Sequence, residues 1–129
     1  MSKPWIKWLF IIAGIYEAVL GLAFLIAPTA IFDAFGTTLP NHMGYVQFPA
    51  LLLLVFALMF FRIASDPVRY RELMLYGMGL KISYCILAFY YQLAGGIPAM
   101  WMPWAWCDLA FLVLFFAAWR VTGPASAAA

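Results

Sequence analysis

The chain has 129 residues, of which 68% are hydrophobic and only 9% are charged, and its mean hydropathy is +1.00. Soluble domains carry roughly a quarter charged residues, so this composition excludes a soluble globular enzyme and is typical of an integral membrane protein. The formal net charge of +2 comes from Lys and Arg residues that flank the apolar segments. It therefore reflects membrane orientation and does not indicate nucleic-acid binding.

Four apolar segments are long enough to cross a membrane, which takes about 20 helical residues. They cover residues 5–27, 43–64, 70–94 and 100–120. Because they use nearly the whole chain, we expect a single transmembrane domain, residues 1–129, that is all-α. Short connections predict an antiparallel four-helix bundle in which each helix packs against its sequence neighbour. The first segment is too long for the apolar core of a signal peptide, so we interpret it as a retained helix.

The distribution of basic residues predicts the topology. Lys and Arg lie before the first segment, around the second connection and at the end of the fourth segment, whereas the first and third connections have none. The positive-inside bias then places both termini in the cytoplasm, in a multi-pass protein of the inner (plasma) membrane. The residues concerned are Lys3, Lys7, Arg62, Arg69, Arg71 and Arg120.

Two connections have recognisable patterns. In the second, Asp66 or Ser65 can cap a helix and Pro67 suits the first turn of the third segment. The first connection, residues 28–42, is longer and contains an apolar set that can lie flat at the outer interface. This pattern predicts a lid over the bundle. The apolar set is Ile31, Phe32 and Phe35.

Three ionisable side chains, Glu17, Lys81 and Asp108, lie near the middle of three different apolar segments. A charge in hydrocarbon costs on the order of 2.5–3.5 kcal/mol, so this placement needs a compensating cause. At about 1.5 Å per residue, Glu17 and Asp108 lie about 18 Å from the cytoplasmic end and Lys81 about 14 Å. We therefore predict that the three side chains point inward and meet in one layer.

The residues near this layer suggest further members of the site. Tyr84 lies one turn from Lys81 and is the best neutral hydrogen-bond partner, whereas Tyr16 and Ser83 lie about 100° away from the facing residues. Two carboxylates and one ammonium leave a net charge of −1, so either one carboxyl holds a proton or a cation binds there. A purely structural interpretation, in which Lys81 locks three helices together, stays open.

Other candidate residues carry weaker signals. His42 is the only histidine and is expected to be an interfacial loop residue. Cys85 and Cys107 come to similar depths, but buried cysteine usually behaves as a small hydrophobe, so a redox pair is the less favoured alternative. The sequence has no Walker loop, no zinc-ligand spacing and no Ser/His/Asp arrangement. No metal site is predicted.

Several local motifs together resemble the DoxX-like group of small four-helix bacterial membrane proteins. One member of that group is the small subunit of a thiosulfate:quinone oxidoreductase, so the resemblance implies an accessory role beside a redox partner. The plan is also similar, more distantly, to the four-helix sterol-isomerase and sigma-2-receptor-like fold, where acidic residues bind amine or lipid ligands. The motifs are Gly14-Ile15-Tyr16-Glu17, Gly21-Leu22-Ala23, Asp66-Pro67-Val68-Arg69-Tyr70-Arg71 and Gly79-Leu80-Lys81.

Three functions are compatible with this sequence. The first, which we favour, is an accessory subunit or binding protein for a lipid-like, quinone-like or amine ligand. The second is a membrane enzyme, an isomerase or redox subunit, with Glu17 or Asp108 as proton donor. The third is a proton or ion pathway. No catalytic residue or cofactor is assigned, although quinone is left open, and the expected partners are membrane lipid, a membrane or redox protein, or a second copy. The predicted ligand-binding residues are Glu17, Lys81, Asp108, Tyr84 and Tyr16.

Overall fold

The computed structural model describes residues 3–124. This part of the chain is helical and contains no strand, which confirms the predicted all-α class. The α-helices are α1 (Pro4–Ile26), α2 (Pro28–Ala34), α3 (Gly44–Ser65), α4 (Leu73–Ala94) and α5 (Met102–Val121), and a short 3-10 helix (Ala99–Trp101) leads into α5.

Within residues 3–124, four helical stretches are long and apolar enough to cross a membrane: α1, α3, α4 and residues 99–121. On α1 the outward face is a continuous apolar stripe whose side chains are 45% to 77% exposed. Such a surface suits lipid and not water. The opposite face of α1 is buried and includes Glu17. The exposed stripe consists of Trp8, Ile12, Ile15, Val19, Leu22 and Ile26.

The helix that corresponds to the third segment begins later than predicted, at Leu73 and not at residue 70. Pro67 therefore lies in a turn and not in the first turn of the helix. The backbone before Leu73 forms a tight turn, in which the N–H of Leu73 donates to the Tyr70 carbonyl three residues back at 3.0 Å. The turn is also held to the end of α5, because Arg71 Nε donates to the Trp119 carbonyl at 2.9 Å.

The membrane-spanning helices pack most extensively as two pairs, α1 with α3 and α4 with α5. The contact between α3 and α4 is sparse although a short turn joins them, so the expectation of close packing between all sequence neighbours is wrong for this pair. Within the first pair, a Cβ added at Gly21 would lie 2.9 Å from the Ala50 carbonyl oxygen. Small residues such as Gly21 allow two membrane helices to approach this closely.

One end of the helix assembly is filled by interlocking side chains, and we call it the packed half. Rings from three helices meet there: Phe10 stacks on Phe115 with ring centroids 4.8 Å apart, and Phe60 lies 5.2 Å from Phe115. The buried residues of the packed half are Ile6, Leu9, Phe10, Ala13, Phe60, Ile63, Ala64, Met74, Met78, Phe115 and Ala118.

The other end, which we call the hollow half, is covered by α2 and the 3-10 helix. Phe32 of α2 is buried, and its ring meets the Trp101 ring edge-on at 6.0 Å, while Phe24 stacks on Trp101 at 6.0 Å. Of the apolar set expected in this segment, Phe35 is exposed and does not join the cover. Below the cover lies a cavity that reaches down to Glu17 and Asp108.

Candidate functional site

The three intramembrane charges meet, as predicted. Lys81 Nζ donates one hydrogen bond to Glu17 Oε1 and another, at 2.9 Å, to Asp108 Oδ1. Lys81 is 0% exposed, Glu17 1% and Asp108 7%. One ammonium thus joins α1, α4 and α5 at a single point between the packed and hollow halves. We call Glu17, Lys81 and Asp108 the charged layer.

Aromatic rings enclose the rest of the ammonium. The centroids of the Phe111 and Tyr16 rings lie 5.1 Å and 5.2 Å from Lys81 Nζ, and the Phe60 ring lies at 5.9 Å. These distances are within the range in which the negative face of a ring attracts a cation. Two carboxylates and the faces of aromatic rings therefore stabilise the Lys81 ammonium in place of the water that would otherwise solvate it.

The cavity of the hollow half has a volume of about 550 Å³, within the size range of small-molecule binding sites. Glu17 and Asp108 line one end of it, and Thr38, Pro40 and Tyr45 line the other. Between these ends the walls are formed mainly by apolar side chains from α1, α3 and α4. They include Leu20, Phe24, Val46, Leu53, Phe56 and Leu80.

The charged layer presents only its acids to the cavity. The described residues that line the cavity include Glu17 and Asp108 but not Lys81. Each carboxylate gives one oxygen to Lys81, and among residues 3–124 its second oxygen, Glu17 Oε2 or Asp108 Oδ2, has no hydrogen-bond partner. These two carboxylate oxygens are therefore available as hydrogen-bond acceptors at the polar end of an otherwise apolar cavity.

Tyr84 does not bond to the charged layer, so the prediction that it is the best neutral partner is wrong. Its hydroxyl donates to the Trp101 carbonyl at 2.7 Å, while the side chain lines the cavity. Tyr84 lies three residues after Lys81, nearer the C-terminal end of α4, and from there its hydroxyl reaches the 3-10 helix. Ser83 is also outside the site, because its hydroxyl donates to the Gly79 carbonyl within α4.

Tyr16 contributes its ring to the charged layer but lines a different cavity. This second cavity, of about 430 Å³, is bounded by α1, α2 and α5. Leu20, Phe24 and Trp104 line both cavities and so form a shared wall. The Trp104 indole N–H is buried without a hydrogen-bond partner in the described chain, and the Tyr16 hydroxyl lies close to the Cys107 thiol.

The remaining candidates do not line the cavity that Glu17 and Asp108 border. His42 Nδ1 accepts a hydrogen bond from the Gly44 backbone N–H at 2.9 Å, where α3 begins. Cys85 is buried and Cys107 exposed, and both are free thiols, so the alternative of a redox pair is not seen. Among the described residues, no group of three or more His, Cys, Asp or Glu side chains could hold a metal ion.

Sequence reasoning placed Tyr16 in the site but missed the aromatic enclosure of Lys81 that its ring forms with Phe60 and Phe111. Phe111 lies three residues from Asp108, so helical spacing could have indicated it. Phe60 comes from α3, which has no ionisable residue near the layer, and only the packing of the helices brings its ring to Lys81.

Comparison of the chain with protein-family models, with curated proteins and with solved structures finds no match. The resemblance to the DoxX-like group stays a prediction that rests on the local motifs.

Proposed function

We propose that this protein is a small multi-pass membrane protein that binds an amphiphilic molecule in its hollow half, as a binding protein or as an accessory subunit of a membrane complex. One observation carries the proposal: an apolar cavity of about 550 Å³ ends on two carboxylates, Glu17 and Asp108. Pockets of this kind, mainly apolar with a few polar groups that orient the ligand, are typical of small-molecule sites.

The shape of the cavity indicates how a ligand lies in it. A polar group reaches the carboxylates at the bottom, and the apolar remainder contacts the Leu and Phe side chains of the walls. A lipid-like, quinone-like or amine ligand meets this description. The opposite end reaches Thr38 and Tyr45, which are exposed, so a ligand has a route to the surface of the protein.

A proton or ion pathway has less support from the packing. Such a pathway needs polar or hydrated groups on both sides of the charged layer. On the packed side the layer is followed by Phe10, Phe60 and Phe115, all 0% exposed. An enzymatic role would use the same carboxylates as proton donors, and no observation on the described residues favours it over binding.

The proposal includes the expected membrane arrangement. We infer an antiparallel four-helix bundle in the inner membrane with both termini in the cytoplasm. In support, the turn between α3 and α4 carries Arg69 and Arg71, with Arg62 in the last turn of α3. Positive residues at one end and none in the opposite connections are the usual signature of a cytoplasmic end.

The test is native mass spectrometry of the protein extracted with its surrounding membrane. A Leu53→Trp variant fills the cavity, whereas Leu58→Trp places the same ring on the outward face of α3, where Leu58 is 69% exposed. We expect a bound small molecule in the native protein and in Leu58→Trp, and its loss in Leu53→Trp. A native protein with no bound molecule beyond annular lipid, or equal retention in both variants, would contradict the proposal.

A further inference from the structure

The cavity is bordered by the acidic side chains of the charged layer, Glu17 and Asp108, whereas the basic side chain, Lys81, is hidden behind them. Lys81 uses two of its N–H groups on Glu17 and Asp108, and rings of Tyr16, Phe60 and Phe111 surround it. Lys81 is 0% exposed. An anion in the cavity would therefore reach the carboxylates before it reached the ammonium.

With both acids ionised, the layer holds more negative than positive charge. Two carboxylic acids share one ammonium, and within residues 3–124 no other basic side chain forms an ion pair with either acid. The second oxygens of Glu17 and Asp108 have no hydrogen-bond partner among the described residues. A group that brings a positive charge and N–H donors can bond to both of these oxygens, and hydrogen bonds between ionised groups are the strong ones.

We propose that the hollow half selects a cationic amphiphile, an alkyl chain or ring system that carries a protonated amine, with the amine bound between Glu17 and Asp108. This inference rests on the proposed function and specifies its ligand class. Lys81 then acts as a fixed counter-charge that lets two acids lie side by side, and the ligand amine completes the charge balance. The apolar walls hold the hydrocarbon part.

The same geometry disfavours the other ligand classes. A quinone offers carbonyl oxygens, which are acceptors, to a site whose free groups are also acceptors. It gains a hydrogen bond only where one of the two carboxyls is protonated. A phosphate or carboxylate headgroup meets like charge in an apolar cavity, where screening by salt is weak. The amine is the one headgroup among those considered that pairs with both acids in their ionised form.

The experiment compares three probes with the same alkyl chain on the purified protein in a neutral maltoside detergent at neutral pH. Dodecylamine, dodecanol and dodecyl phosphate differ only in headgroup, and isothermal titration calorimetry measures their affinities. We expect dodecylamine to bind at least tenfold more tightly than dodecanol, and dodecyl phosphate no more tightly than dodecanol. This comparison uses the native chain and does not depend on the folding of any variant.

Variants then show which residues cause the preference for the amine over the alcohol. Glu17→Gln and Asp108→Asn should each reduce the preference for the amine over the alcohol at least tenfold, whereas Glu72→Gln, which removes an exposed acid outside the cavity, should leave it unchanged. Thermal unfolding confirms that each variant is folded. Leu53→Trp should weaken binding of the amine and the alcohol alike.

The outcomes separate this inference from the proposed function. If dodecanol or dodecyl phosphate binds as tightly as dodecylamine and Leu53→Trp abolishes that binding, the cavity is a binding site but the amine selectivity is wrong. If no probe binds, or if binding is the same in Leu53→Trp and Leu58→Trp, the proposed function fails and the amine selectivity fails with it.

Discussion

The packed half and the hollow half are built from the same helices and from similar residues, yet only one of them is filled. In the packed half, phenylalanines from α1, α3 and α5 stack against one another at the centre. In the hollow half, the aromatic residues Phe24, Phe32 and Trp101 gather at the far end as a cover, and the space beneath them stays open. Apolar composition therefore does not determine whether a membrane bundle has a filled core.

The difference in packing between the two halves also fits the position of the charged layer. Protein interiors are close-packed, and burying a charge in such a core costs a large free energy unless the charge is paired. The charged layer lies at the boundary, with the Lys81 ammonium against Phe60 of the packed half and the two acids at the floor of the cavity. One half thus supplies rigidity and the other supplies the space in which a ligand meets the acids.

The largest expected effect comes from removing the ammonium at the boundary between the halves. Lys81→Met leaves Glu17 and Asp108 side by side without a counter-charge, and loss of one partner of a buried ion pair costs about 3–5 kcal/mol. We expect the free energy of unfolding to fall by that amount, measured by equilibrium unfolding in mixed micelles of detergent and denaturant.

A triple variant is the control for this prediction. Glu17→Gln, Lys81→Met and Asp108→Asn together remove all three charges, so most of the lost stability should return. A loss in Lys81→Met of less than about 1 kcal/mol, the scale of an exposed ion pair, would mean that the layer is not a tightly coupled network. Lost stability with unchanged ligand binding would leave Lys81 with a structural role only.

The second prediction compares the two halves directly with the same substitution on one helix. Leu9→Ala removes a side chain from the packed half, whereas Leu20→Ala removes one that already borders both cavities. We expect Leu9→Ala to cost about 2–5 kcal/mol, as in other close-packed cores. Leu20→Ala should cost clearly less, because fewer packing contacts are lost. Equal costs in unfolding experiments would show that the halves do not differ in packing.

Much of the fold could be predicted from the sequence. The four spans are long apolar stretches, and length and hydropathy alone identify them. The start of α4 was missed by three residues, because residues 67–72 form turns and not helix. Arg71 of this segment bonds to the Trp119 carbonyl, a contact that is remote in sequence. The pairing of α1 with α3 and of α4 with α5 depends on how closely the backbones approach, which hydropathy does not report.

The charged layer was predictable because the cost of a charge in hydrocarbon leaves few alternatives to an inward-facing network. The cavity was not predictable, since it results from the spacing between helix pairs and no local pattern records that spacing. Tyr84 shows the limit of helical periodicity. Its position on α4 was correctly related to Lys81, but the Trp101 carbonyl, supplied by another part of the chain, is where its hydroxyl bonds.

The smallest expected effect concerns the contact between α4 and the cover of the hollow half. Tyr84→Phe removes only the hydroxyl that donates to the Trp101 carbonyl, and hydrogen bonds between membrane helices average about 0.6 kcal/mol. We expect a loss of stability of that order. Ser83→Ala is the matched control, because its hydroxyl bonds to a carbonyl of its own helix, and it should change stability less. If the two variants are equally mild, the Tyr84 link does not support the cover, and the hollow half is held by the rings of Phe24, Phe32 and Trp101 alone.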